Sequence, residues 1–62
     1  MNAAINSDEA FIVQIKIVGH WATVFVAKNE VGAAREASNQ FEFFHDCVRV
    51  LSPTREILAI ME

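Results

Sequence analysis

An α+β fold, with elements in the order β-β-α-β-β and one helix packed on one face of a four-stranded, mainly antiparallel sheet, is predicted by three stretches of the sequence. Residues 11–18 (FIVQIKIV) and 21–28 (WATVFVAK) are β-branched runs on either side of Gly19-His20. Residues 30–45 repeat apolar side chains at helical spacing. Residues 47–51 (CVRVL) and 56–62 (EILAIME) are short apolar runs separated by Ser52-Pro53-Thr54-Arg55.

In the first run Phe11, Val13, Ile15 and Ile17 alternate with Ile12, Gln14, Lys16 and Val18, the period of a strand. Glycine at the first central position of a two-residue loop suits a type II′ turn, so Gly19-His20 predicts a hairpin. That loop pairs Val18 with Trp21, Ile17 with Ala22, Ile15 with Val24 and Val13 with Val26. Asn29 then reads as an N-cap with Glu30 in the first turn, where a carboxylate meets the helix dipole favourably. Steps of 100° place Ala34, Ala37, Phe41 and Phe44 in one stripe with Ala33 at its edge, and Arg35, Asn39 and Glu42 opposite. Proline at the second position of Ser52-Pro53-Thr54-Arg55 fits a type I turn between the last two strands. A four-residue loop there pairs Val50 with Ile57 and Val48 with Ala59. Two strand orders remain open, 2-1-3-4 with antiparallel neighbours throughout and 1-2-3-4 with a parallel central pair.

Sixty-two residues make one domain, read as residues 10–62, preceded by a flexible N-terminal arm over residues 1–9. A chain this short buries only about 60% of its unfolded surface and sits near the lower limit of independent folding. With 53% hydrophobic residues, two glycines and one proline, it is not a disordered segment. The lone cysteine, Cys47, has no internal partner for a disulfide, which fits a reducing compartment, and the expected location is cytoplasmic. No basic flank precedes a long apolar run, and Gln14, Lys16, Lys28 and Arg49 interrupt the apolar segments well short of about 20 residues, so no membrane association is expected.

Both faces of the expected sheet are substantially apolar, and one helix covers only one of them. The uncovered face would carry Ile12, Val18, Trp21, Phe25, Leu58 and Ile60, a surface that calls for a partner: a second copy of the chain, or another protein. Phe43 points away from the helix stripe; it either tucks against the connection after the helix or forms an exposed contact.

Chemistry-bearing constellations are sparse. His45-Asp46-Cys47 sets a thiol beside a base and an acid, but adjacent residues at a helix end rarely point at one another, and Asp46 would disfavour a thiolate. His20, His45 and Cys47 lack the spacing of a metal site, so no metal or other cofactor is expected. No glycine-rich loop or carboxylate pair marks a substrate site, and a pocket of about 300 Å³ or more is hard to build from one helix and four strands; no catalytic residue and no small-molecule substrate are expected. Lys16 and Arg49, with Trp21 and Phe25, could stack RNA or single-stranded DNA on the uncovered face. Two cations in a chain of net charge −3 make a poor footprint for phosphate, which leaves nucleic acid the lesser reading. The sequence thus reads as a small non-enzymatic interaction module, an adaptor, regulator or inhibitor of the kind phages and plasmids also encode, homodimeric through the uncovered face. The alternative is a weak RNA- or single-stranded-DNA-binding regulator.

Overall fold

A computed structural model describes residues 10–44 and 47–62; the expected arm, residues 1–9, lies outside the described residues. Strands β1 (Phe11–Ile17) and β2 (His20–Ala27) precede helix α1 (Glu30–Phe44), and β3 (Val48–Leu51) and β4 (Ile57–Met61) follow it. The sheet order is β2-β1-β3-β4 with every pair antiparallel, the first of the two arrangements left open by the sequence. The helix carries the chain over β1, so β3 arrives beside β1 and both hairpins flank that central pair.

The first hairpin turns one residue earlier than expected. Ile17 pairs with His20 across a Val18-Gly19 loop, and both central residues have positive φ, 49° and 82°. That is the signature of a type I′ turn, whose twist matches the strands. Glycine adopts such a φ freely, whereas a β-branched valine is strained there by about 1–2 kcal/mol. The register offsets this cost. It sets Lys16 against Trp21 and Gln14 against Thr23 on one face, where the expected register would have put Gln14 opposite Phe25.

Moving the turn changes partners but leaves the faces as expected; a β-bulge then reverses them. Val24 is the extra residue between the pairs Gln14–Thr23 and Val13–Phe25. Beyond it, Phe25 and Ala27 share the face of Val13 and Phe11, and Val26 joins Ile12 on the other. The second hairpin repeats the device. Val50 pairs with Ala59 and Val48 with Met61, each two residues beyond the expected partner, and Leu58 is extra before Leu51 meets Ile57. Its turn is a three-residue loop with Arg55 at φ 70°. Ser52 organises this loop: its carbonyl accepts from Arg55 N at 2.8 Å, and its hydroxyl accepts from Thr54 N at 3.2 Å and Glu56 N at 3.0 Å.

Asn29 caps α1 as expected, its Oδ1 accepting from Gly32 N at 2.7 Å. A methyl at Gly32 would stand 3.2 Å from that oxygen and 3.6 Å from Ala27 Cβ, so this first turn packs tightly on the end of β2. The buried stripe is rotated from the expected Ala34 and Phe44 toward Ala33, which is fully buried together with Ala37 of the expected stripe, and Phe41 packs against the same core. Ala34 is exposed and Phe44 half exposed. Alanine at the contact lets the helix approach β1, β3 and β2 closely, over Val13, Ile15, Val48 and Val50. The core is thin as a result, and Val13 and Val48 are its largest fully buried side chains.

Because the strain at Val18 serves no contact of its own, the side chain being 90% exposed, Val18→Asn should stabilise the fold by about 1 kcal/mol, read as a rise of about 4–8 °C in thermal midpoint. Gly19→Ala should lower the midpoint, since alanine is strained at φ 82°.

Candidate functional site

The face of the sheet turned away from α1 is ordered into three cross-strand rungs by the observed register. An apolar rung, Val26–Ile12–Leu51–Ile57, crosses all four strands. Two residues along lies the polar rung Thr23–Gln14–Arg49, which ends in Ile60 on β4. The third rung sets Trp21 against Lys16, whose N–H donates to the Cys47 carbonyl at 3.0 Å.

Each bulge brings one aliphatic residue onto this face. Without the extra Val24, Val26 would face the helix, and without the extra Leu58, so would Ile57. Both end on the rung with Ile12 and Leu51. The outer members are open, Val26 at 59% and Ile57 at 51% exposure, while Leu51 between Ile12 and Ile57 is only 6% exposed. The helix does not extend its main packing to β4, which leaves Leu58 and Ile60 exposed as well.

The polar rung is a fixed chain of hydrogen bonds. Arg49 Nε donates to Gln14 Oε1 at 2.7 Å, and Gln14 Nε2 donates to Thr23 Oγ1 at 3.1 Å. The guanidinium lies 4.2 Å from the centre of the Trp21 ring, and Lys16 Nζ lies 5.7 Å from the same point. Both distances fall within the range of cation–π attraction.

Of the residues singled out in the sequence, the structure thus gathers Ile12, Trp21, Ile60, Lys16 and Arg49 on the outer face. Two expectations are corrected: Phe25 is carried by the β2 bulge to the face of Val13, and Val18 stands in the turn and not in a strand. Leu58 is the extra residue of the β4 bulge and is 42% exposed. Phe43 is 77% exposed, its ring edge-to-face with Phe44 at 4.8 Å, so it is not tucked against the connection after the helix. These two rings, with Asn39, Gln40 and Glu42, border an open depression of about 420 Å³ at the end of α1. Val26 and Ile57 are the functional candidates that sequence reasoning missed. The mismatch of Gln14 with Phe25 in the simple register signals only the earlier turn; the bulges that carry Val26 and Ile57 outward have no comparable signal in the sequence.

Among the described residues no three His, Cys, Asp or Glu side chains gather as metal ligands, and no helix is long and apolar enough to cross a membrane. His45 and Asp46, two of the three residues in the acid–base–thiol constellation, lie outside the described residues; Cys47 is a half-buried free thiol. No protein-family model matches the chain, and neither curated proteins nor solved structures give a match.

Gln14 holds the polar rung together. Gln14→Leu should cost about 1–2 kcal/mol, because it leaves the Arg49 Nε–H and the Thr23 hydroxyl without their partner. Chemical denaturation monitored by circular dichroism measures the loss, and Thr23→Val, which removes only the end of the chain, should cost less.

Proposed function

We propose that the chain is a non-enzymatic interaction module that assembles with a second copy of itself through the outer face of the sheet. The observation that carries this reading is the continuous apolar rung Val26–Ile12–Leu51–Ile57, which spans every strand and is not covered by the helix or any other of the described residues.

A twofold axis lying along the rung stacks each of its residues on its own counterpart, with the sheets about 10 Å apart. The axis runs across the strands, so it carries the two polar rungs to opposite rims. Arg49 and Lys16 of one copy are then kept away from those of the other. An axis along the strands would instead bring the two polar rungs and their cations to the same level, at a cost of like-charge repulsion in a partly dry interface.

The thin core supports the same conclusion. With alanines and valines filling the space between helix and sheet, burial within one chain removes little large apolar surface from water. Association through the outer face adds burial of Val26, Ile57 and Ile60, and stability then rises with protein concentration.

The nucleic-acid reading is less well supported. Arg49 already lies over the Trp21 ring, and Phe25 is on the other face, so the aromatic platform is reduced to one partly capped indole.

Light scattering coupled to size exclusion should give the mass of a dimer, falling toward the monomer on dilution. Val26→Asp and Ile57→Asp alter side chains already more than half exposed, so each should fold and yet weaken the dimer at least about tenfold. Phe43→Asp, at the end of the helix, should leave the mass unchanged. A wild-type chain that stays monomeric at the highest concentration, or Asp variants that stay dimeric, would contradict the reading.

A further inference from the structure

The corner formed by Lys16, Trp21 and Arg49 points to a ligand that the apolar rung does not. Two cations converge on a single indole, Arg49 at 4.2 Å and Lys16 at 5.7 Å from its centre, although their mutual repulsion disfavours that arrangement. They are the only charged residues in the four strands, which contain no carboxylate at all. Among the described residues the acidic ones lie on the helix (Glu30, Glu36, Glu42), in the last turn (Glu56) and at Glu62. Among these residues the outer face is therefore locally positive, on a molecule of net charge −3.

The guanidinium is also held in a fixed pose. Gln14 occupies Nε, the Trp21 ring lies beside the guanidinium, and Thr23 in turn fixes the Gln14 amide. A guanidinium can receive a carboxylate along its Nε side or end-on through its two Nη groups. Here the Nε side is taken. Among the described residues the Nη groups of Arg49 have no hydrogen-bond partner, so the end-on fork is the one left to receive an anion. Side-chain entropy is already lost in holding this pose, which lowers the cost of binding.

We infer that the Lys16–Trp21–Arg49 corner binds an acidic segment of a partner protein, a glutamate or aspartate carboxylate docking end-on against Arg49 with Lys16 beside it. A protein carboxylate fits the corner better than a nucleic acid. Two cations neutralise one or two carboxylates but give no track for a phosphate backbone, and Arg49 already lies over the indole on which a base would stack. All the groups belong to one chain, so the site does not depend on self-association. In the proposed dimer it lies at the rim, one corner at each end.

Trp21 is the only tryptophan in the chain and reports on the corner directly. Titration with a short glutamate-rich peptide should give a saturable change in Trp21 fluorescence, equally in the wild-type chain and in Val26→Asp, where self-association is weakened. Raising salt from about 50 to about 500 mM should weaken binding at least about tenfold. Lys16→Gln should weaken it severalfold, and Arg49→Lys, which keeps the charge but loses the fork, by about tenfold. Thermal unfolding of each variant shows whether it is folded, and Lys16→Gln changes an exposed side chain, so a readable variant remains if Arg49→Lys is unstable. Three results would overturn the inference: no saturable change with the glutamate peptide, an equal change with its glutamine counterpart, or tighter binding of a single-stranded oligonucleotide than of the peptide.

Discussion

The register of the two hairpins is the constraint on which the rest of this structure depends. In a strand, side chains alternate between faces, so one inserted residue reverses every position beyond it. The chain uses this twice, at Val24 in β2 and Leu58 in β4, once in each edge strand. Both insertions adjoin the same level of the central pair, where Val13 meets Val50. The result is one apolar rung across four strands and, two residues away, a polar rung in which Gln14 satisfies Thr23 and Arg49. Without the insertions Phe25 would stand opposite Ile12 on the outer face, and Val26 and Ile57 would face the helix.

The helix side follows a different logic. Asn29 and Gly32 set the first turn of α1 tightly on the end of β2, and Ala33 and Ala37 are buried against the sheet. Small residues at the contact bring the helix close, and closeness excludes large side chains. The phenylalanines are consequently pushed to the periphery: Phe11 and Phe41 border the core, while Phe25, Phe43 and Phe44 remain substantially exposed. A domain of this size has few ways to bury more surface within itself.

Much of the fold was legible in the sequence because it rests on local signals. The alternation of residues 11–18, the cap at Asn29 and the proline after Ser52 place the elements, and the β-β-α-β-β order follows. The strand order was not legible, since it depends on how the helix crosses the sheet. Nor was the position of the first turn, a balance of cross-strand pairs against strain at Val18, where φ is 49°, nor were the bulges beyond it. The candidate site was legible in part for the same reason. Ile12, Lys16, Trp21, Arg49 and Ile60 lie before the insertions or on the unbulged central strands, or keep their parity, and they stay on the expected face. Phe25 lies beyond an insertion and changes face, while Val26 and Ile57 arrive in its place.

The outer face thus combines a closable apolar surface with a charged corner held open at its rim, and the central claim is that the apolar rung meets its own copy. Isotope-filtered nuclear Overhauser spectroscopy on a mixture of labelled and unlabelled chains tests this most directly. The account predicts intermolecular contacts between the methyls of Val26, Ile12, Leu51 and Ile57 and their own counterparts, with none to Val31 on the helix. Intermolecular contacts centred on the helix or on Phe43 and Phe44, or no intermolecular contacts in a concentrated sample, would contradict it.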